Sequence, residues 1–357
     1  MSYPFLSLGF NSWTQKFSRG DPPAVIQALL EYVTTTVSSF TLLSTGTVDY
    51  EVDWGDGTTE SLTTNNPTHT YSSAGEYTIK VTPAEGSTYR PYFNNAVSDT
   101  SIASVSGTGG SQLGTILSDA WEGASNMTSF SSDIDTSSGT NFRSAWLGCT
   151  GLTSFPQLDV SSGTNFNATW FGCTGLTSFP QLDTSSGTNF GFAWYNCRNL
   201  TSFPQLDTSS GTNFSATWQN CSGLTTFPQL DTSSGTHFGY AWYNCPNLTS
   251  FPQLDTSSGT NFGFAWRNCT GLTSFPANMF DTTGTLGSGA FYFCWNNCAL
   301  TAQSIENILV SLDTNGKTSI SLGINGGSNA GYSTWTAAAQ TALTNLQGKG
   351  WSVIYNP

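Results

Sequence analysis

Charge is scarce in this chain. Asp, Glu, Lys and Arg make up 9% of 357 residues, with nine basic against 22 acidic side chains and a net charge of −13. A surface so poor in cations repels polyanions, which excludes nucleic acid and anionic membrane as partners. Histidine occurs only twice, as His69 and His237, and neither has a nucleophile beside it in the pattern, so Ser/His/Asp or Cys/His catalysis has no support. No glycine-rich phosphate loop follows a strand. No segment approaches the ~18 apolar residues that span a bilayer, so membrane insertion is not expected. The opening residues, Met1 to Phe10, lack a basic stretch followed by an apolar one, so a secretory signal is not expected either. With these features missing, no catalytic residue and no cofactor is expected, and the chain reads as non-enzymatic.

Low charge here does not mean disorder. Aromatic residues are 14% and hydrophobic residues 37% of the chain, enough for a sizeable core. Gly, Ser, Thr and Asn take the place of charge on the surface, and the length suggests two or three units.

The dominant feature is an internal repeat. Trp146, Trp170, Trp194, Trp218, Trp242 and Trp266 lie 24 residues apart, and so do Cys149, Cys173, Cys197, Cys221, Cys245 and Cys269. A degenerate first copy carries Trp121 with Ala124 in the cysteine position, and a degenerate last copy carries Trp295 and Cys298, shifted by five residues after Phe275. In each unit Leu200, Phe203 and Leu206 fall on a short extended stretch ending at Asp207 and the turn-prone Thr-Ser-Ser-Gly. Phe214, Trp218, Cys221 and Leu224 then recur at i, i+4, i+7 and i+10, the spacing of one face of a helical turn or two. Neither half can bury its apolar face alone, whereas stacked copies can. The expected fold is an α/β repeat solenoid with identical residues in columns.

The motif Gly-Thr-Asn-Phe-x-x-Ala-Trp-x-Asn-Cys-x-x-Leu-Thr-Ser-Phe-Pro-x-Leu-Asp resembles the BspA-like leucine-rich repeats of bacterial surface proteins. Phe190 stands where those repeats carry their first Met, and Ala193-Trp194 stands where they carry Met-Phe. The resemblance covers about 101–300 and implies a leucine-rich-repeat-like architecture and a surface-interaction role. Upstream, Val52-Asp-Trp-Gly-Asp-Gly-Thr58, Thr68-His-Thr-Tyr71 and Gly75-Glu-Tyr-Thr-Ile-Lys-Val81 resemble a polycystic-kidney-disease (PKD) domain, a small immunoglobulin-like β-sandwich, over 38–100. Asp56-Gly57 supplies a hairpin turn, and Tyr77, Ile79 and Val81 alternate on one face of a strand. Residues 1–37 read as an N-terminal arm with a short helix over Pro22–Val33, able to anchor to a larger assembly. Residues 301–357 read as an α/β cap, with helices over Ala302–Leu312 and Ser333–Leu346 and strands over Ser319–Ile324 and Trp351–Tyr355. This arrangement is similar to virion proteins of phages.

Each residue column admits a plain and a functional reading. The cysteines suit buried small apolar side chains. Cys294 and Cys298 form a Cys-x3-Cys pair without histidines nearby, so no metal is expected there. Asp159, Asp183, Asp207, Asp231 and Asp255 could cap the Thr-Ser-Ser turn through backbone N–H groups or hold a ladder of Ca²⁺, and the capping role is preferred. Asp53 and Asp56 read as turn formers. The residues directly after each tryptophan vary most: Phe171, Tyr195, Gln219, Tyr243 and Arg267 form a candidate ligand-binding strip. Such a strip could stack on sugar rings or dock a protein. Positions two before the tryptophan alternate large and small, from Ala168 and Ala216 to Phe192, Tyr240 and Phe264, which reads as packing compensation. Gln157, Gln181, Gln205, Gln229 and Gln253 offer a second, polar face for an extended polymer.

The expected role is therefore a surface binding or display protein. One setting is a phage virion, as tail fibre, tail tip or capsid decoration, binding a host-surface glycan or protein and joining other virion proteins through the arm. The alternatives are a bacterial cell-surface adhesin and a structural virion protein without ligand; homo-oligomerisation is compatible with all three.

Overall fold

The computed structural model describes residues 30–84, 86–93, 100–107 and 113–357. The anchor role expected of 1–37 rests largely on residues outside this set. Of the helix expected over 22–33, the described part is a strand: β1 (Leu30–Thr34) buries Leu30, Tyr32 and Thr34 in alternation, the period of a pleated strand.

Seven further strands follow: β2 (Val37–Thr41), β3 (Tyr50–Asp53), β4 (Thr59–Leu62), β5 (Thr68–Gly75), β6 (Thr78–Pro83), β7 (Ile102–Gly107) and β8 (Ser129–Phe130). They form one sheet in the order β4-β3-β6-β1-β7-β8 and a second, two-stranded sheet of β2 and β5. Tyr32, Val52, Trp54, Ile79 and Val81 are fully buried, and Tyr77 is half-buried beside them. The β3–β4 hairpin turns where Gly55 has φ +82°, and a Cβ there would stand 2.6 Å from the Thr78 carbonyl oxygen, so the turn requires glycine. Asp53 accepts from the Gly55 N–H and Asp56 from the Thr58 N–H, the turn-forming roles read from the sequence. The large sheet does not stop at residue 100: β8, in the first repeat, pairs in parallel with β7, so the repeats supply an edge strand.

From residue 131 to 301 the chain forms neither α-helix nor extended strand beyond single bridges. The alternation of strand and helix expected of the repeats is therefore corrected. In the Phe-to-Cys half, amides alternate between two destinations. Phe190, Phe192, Trp194 and Asn196 donate to carbonyls of the next copy, Asn213, Ser215, Thr217 and Gln219, at 2.7–2.9 Å. Ala193, Tyr195, Cys197 and Leu200 close three-residue turns onto Phe190, Phe192, Trp194 and Cys197. A helix would need every amide to bond four residues back; here alternate amides bond the neighbouring coil instead. Left-handed backbone at Phe192 (φ 60°) and Asn196 (φ 61°) enforces the break, and the other copies repeat it.

The ladder also lies elsewhere than expected. Parallel bridges run along Asn141, Asn165, Asn189, Asn213, His237 and Asn261, whereas the Leu-x-x-Phe-x-x-Leu stretch has a single one, between Ser250 and Ser274. In that stretch proline removes an amide donor, and the copies are tied by single bonds such as Thr201 N–H to the Thr177 carbonyl, 3.2 Å.

Each coil buries the same set. Leu200, Phe190, Trp194 and Cys197 are inaccessible to solvent, with Phe203 and Leu206 nearly so. Indole rings stack on indole rings from Trp121 to Trp295 with centroids 5.0–6.1 Å apart. The two widest gaps, 6.1 and 6.0 Å, lead to Trp170 and Trp218. Those are the copies in which Thr169 and Thr217 precede the indole and donate to the Phe142 and Phe190 carbonyls, 2.9 Å each. The large-small alternation that touches layer spacing is thus at the residue before the tryptophan.

The end of the stack is closed by α1 (Ala302–Asn315), β9 (Ser321–Gly323), α2 (Ala337–Gly348) and β10 (Ser352–Ile354). Thr301 and Thr336 cap the two helices by accepting from the Ser304 and Ala339 amides. Ile305, Ile308, Leu309 and Leu312 of α1 are buried. Residues around β9 continue the coil ladder, accepting from the Trp295 and Asn297 amides at Gly323 and Asn325.

Candidate functional site

Most columns of the repeat are consumed by structure. Every repeat cysteine from Cys149 to Cys269 points its Sγ at the carbonyl of the tryptophan one copy earlier, at 3.0–3.2 Å. Cys294 and Cys298 do the same with Phe262 and Trp266, 3.0 Å each. All eight cysteines are buried and outside any disulfide, and burial pushes the thiols of Cys173, Cys221 and Cys269 up to about 12. A thiol that cannot ionise is neither nucleophile nor ligand. Ellman's reagent at pH 8 is therefore expected to label none of the eight cysteines in the native chain and all eight in guanidinium; rapid native labelling would contradict the buried column.

The aspartates are used in the same way. Asp159, Asp183, Asp207 and Asp231 each accept from the backbone N–H and the hydroxyl of the serine two residues on, at 2.7–3.1 Å. Asp255 accepts from the Ser257 N–H at 2.9 Å. The serine bonds hold the Asp183 and Asp231 carboxyls below their ordinary value. This is the turn-capping role. In the β-sandwich, His69 meets Asp56 at 2.8 Å, stacks on Trp54, and lowers the Asp56 carboxyl to about 2.

His237 stands in the asparagine column. In the other copies the asparagine oxygen accepts the amide two residues on, as Asn213 does from Ser215 at 3.0 Å and Asn261 from Gly263 at 2.9 Å. An imidazole has no such oxygen, and His237 turns to the Thr236 hydroxyl. His237→Asn is expected to raise stability by about 1 kcal/mol, the worth of one turn-capping bond; urea unfolding of the two chains checks it.

The glutamine column is exposed and partly self-bonded. Gln157 donates to the Gln181 carbonyl at 2.7 Å and Gln181 to that of Gln205 at 3.1 Å.

The variable positions remain. Phe171, Tyr195, Gln219, Tyr243 and Arg267, the strip expected to face solvent, are all half-buried. Phe171 and Tyr195 stack at 4.4 Å and 8°, Tyr243 accepts from Asn268, and the Arg267 guanidinium lies over the Phe264 and Phe293 rings at 5.5 and 5.4 Å. The rings most open to water come from elsewhere: Phe192 and Tyr240, two before the tryptophan, are each 41% exposed, and Tyr292 is 43% exposed. Of the positions expected to pack between layers, Phe192 and Tyr240 are thus exposed, while Phe264 is half-buried and stacks on Tyr240 of the neighbouring coil. All three sit at φ near +60°, the left-handed position that Ser144, Ala168 and Ala216 hold in the other coils.

That conformation costs a non-glycine residue roughly 1–2 kcal/mol, and strained residues concentrate at functional sites. The exposed rings form a patch: Tyr240 stacks on Phe264 at 4.6 Å and 9°, and Phe264 meets Tyr292 edge-on at 5.5 Å. The sequence held a signal for it. Wherever the residue after the column phenylalanine is glycine (Gly191, Gly239, Gly263), the next is an exposed-type aromatic; where it is Arg143, Asn167 or Ser215, the next is Ser144, Ala168 or Ala216. The array thus holds two kinds of coil, and one carries the rings.

Compared with known proteins, the chain carries a PKD domain at residues 26–89. The match begins ahead of the expected boundary at 38 and takes in β1, which lies at the centre of the large sheet. No curated protein matches the chain.

Proposed function

We propose that this chain is a non-enzymatic surface binding protein whose repeat coils present an aromatic face to a glycan or protein on a cell surface. The observation that carries this reading is the set of exposed rings, Phe192, Tyr240 and Tyr292, of which Phe192 and Tyr240 occupy the left-handed position where sister coils carry Ser144, Ala168 and Ala216. Large rings placed outward at a conformational cost are suited to recognition rather than to core packing. The PKD domain, the resemblance of the coils to BspA-like leucine-rich repeats and the similarity of the whole arrangement to phage proteins support a virion component such as a tail fibre, tail tip or decoration. A cell-surface adhesin would use the same face. The resemblance to leucine-rich repeats concerns residue pattern alone, since turns stand here in place of the expected helical half.

The test is binding of fluorescently labelled chain to a panel of intact bacteria. Saturable binding to some strains, abolished by periodate treatment of the cells, supports a glycan receptor. Loss after protease treatment alone assigns a protein receptor. Binding to no strain in a broad panel, or turnover of cell-wall material by the chain, would overturn the reading.

A further inference from the structure

We infer that the groove along Tyr240, Phe264 and Tyr292 is a carbohydrate subsite that takes a neutral pyranose of an oligosaccharide; this deepens the binding reading above and rests on it. The groove has a volume of about 370 Å³, and three glycines one coil apart, Gly239, Gly263 and Gly289, line it with the three rings. That is within the usual size of ligand clefts, roughly 300–1,000 Å³.

The glycines are the decisive detail, because the fold does not ask for them at Gly239 and Gly289. Neither has a left-handed φ. A Cβ on Gly239 would make only ordinary contact, 3.4 Å from Asn261 Nδ2, and one on Gly289 would meet nothing within 4 Å. Sister coils carry Arg143, Asn167 and Ser215 at the position of Gly239 without losing the coil. What the glycines do is leave open space beside the rings.

The chemistry of the lining selects the occupant. No acid and no lysine line the groove, so it offers no counter-charge to an ionic ligand. The rings offer aromatic faces and edges, which suit the C–H face of a pyranose. Asn261 has its oxygen fixed by the Gly263 N–H, and its Nδ2 lies beside Gly239 as a donor for a sugar hydroxyl. Apolar surface with a few fixed polar groups is the composition of small-ligand sites.

Two substitutions copied from sister coils test the subsite without threatening the fold: Gly239→Asn, as at Asn167, fills the groove, and Tyr240→Ala, as at Ala216, removes a ring. The probes are hexaoses of glucose and of N-acetylglucosamine, with affinity read by calorimetry and ligand-observed NMR on the full chain. The expected result is binding by the parent and at least tenfold weaker binding by each variant, with Tm unchanged. Undiminished binding by both variants would overturn the assignment of the site. A parent that binds neither hexaose but still binds cells would overturn the carbohydrate subsite and leave the surface-binding reading standing. A parent that binds neither hexaose nor cells would remove both.

Discussion

Replacing Trp194 with alanine is expected to destabilise the repeat stack by about 4–5 kcal/mol, the upper range for deleting a buried aromatic side chain. Trp194 is fully inaccessible to solvent. Its indole lies between those of Trp170 at 5.0 Å and Trp218 at 6.0 Å, with the Phe179 and Phe203 rings set edge-on at 5.3 and 4.8 Å. Because each coil contacts only its neighbours, a hole here weakens two interfaces at once. The indole Nε1 makes no hydrogen bond, so the loss is one of packing. Trp194→Phe should accordingly recover more than half of it. Urea unfolding followed by far-UV circular dichroism measures both variants; a loss under 1 kcal/mol for the alanine variant would mean that the column does not hold the coils together.

Gly211→Ala is expected to cost about 2–3 kcal/mol, a large effect for one methyl group and the signature of overpacking. The added Cβ would stand 2.4 Å from Phe214 Cζ and 3.0 Å from the Thr208 carbonyl oxygen. The phenylalanine cannot swing aside, being stacked between Phe190 at 5.6 Å and Phe238 at 5.3 Å. The Thr208 side cannot open either, since its hydroxyl donates to the Asp231 carbonyl at 2.5 Å. The same contact recurs at Gly163, Gly187, Gly235 and Gly259, where the Cβ would meet the column phenylalanine at 2.3–2.5 Å. A control separates this from general intolerance: Gly172→Asn occupies the left-handed position that Asn196 and Asn220 already hold, with nothing within 4 Å of the new Cβ, and should leave Tm unchanged. Equal Tm for Gly211→Ala and the parent would contradict the packing described.

Much of the stack was legible in the sequence, because one residue per column per 24 positions leaves little choice of what is buried. The Trp, Cys, Leu and Phe columns and the aspartate-capped turns follow from spacing and side-chain chemistry. The helical reading of the second half failed for an identifiable reason. A run of three-residue turns brings i, i+4 and i+7 to one side as a helix does, and only the destination of alternate amides tells the two apart. That destination is the neighbouring copy, which spacing within one copy cannot reveal. Leu30-Glu-Tyr-Val33 was similarly ambiguous, apolar at a spacing that suits helix or strand until the partners β6 and β7 are known.

The most exposed rings lie three residues before the expected strip, for a subtler reason. Tyr195 and Tyr243 follow the buried tryptophan and are half-buried, whereas Phe192 and Tyr240, at left-handed backbone three residues earlier, carry exposed rings. Aromatic side chains rarely adopt that conformation, so nothing at the level of propensity announces it. The pairing of glycine with the following aromatic in three of the coils was the available clue.

The most direct test of a recognition face on the turns is the cell-binding isotherm of the Phe192→Ala/Tyr240→Ala double variant beside the parent. Both substitutions install the residue that Ala168 and Ala216 already place at the same φ, so Tm should not change. Binding reduced at least tenfold at unchanged Tm is the predicted result. Binding equal to the parent's would contradict it and move recognition off the aromatic face altogether.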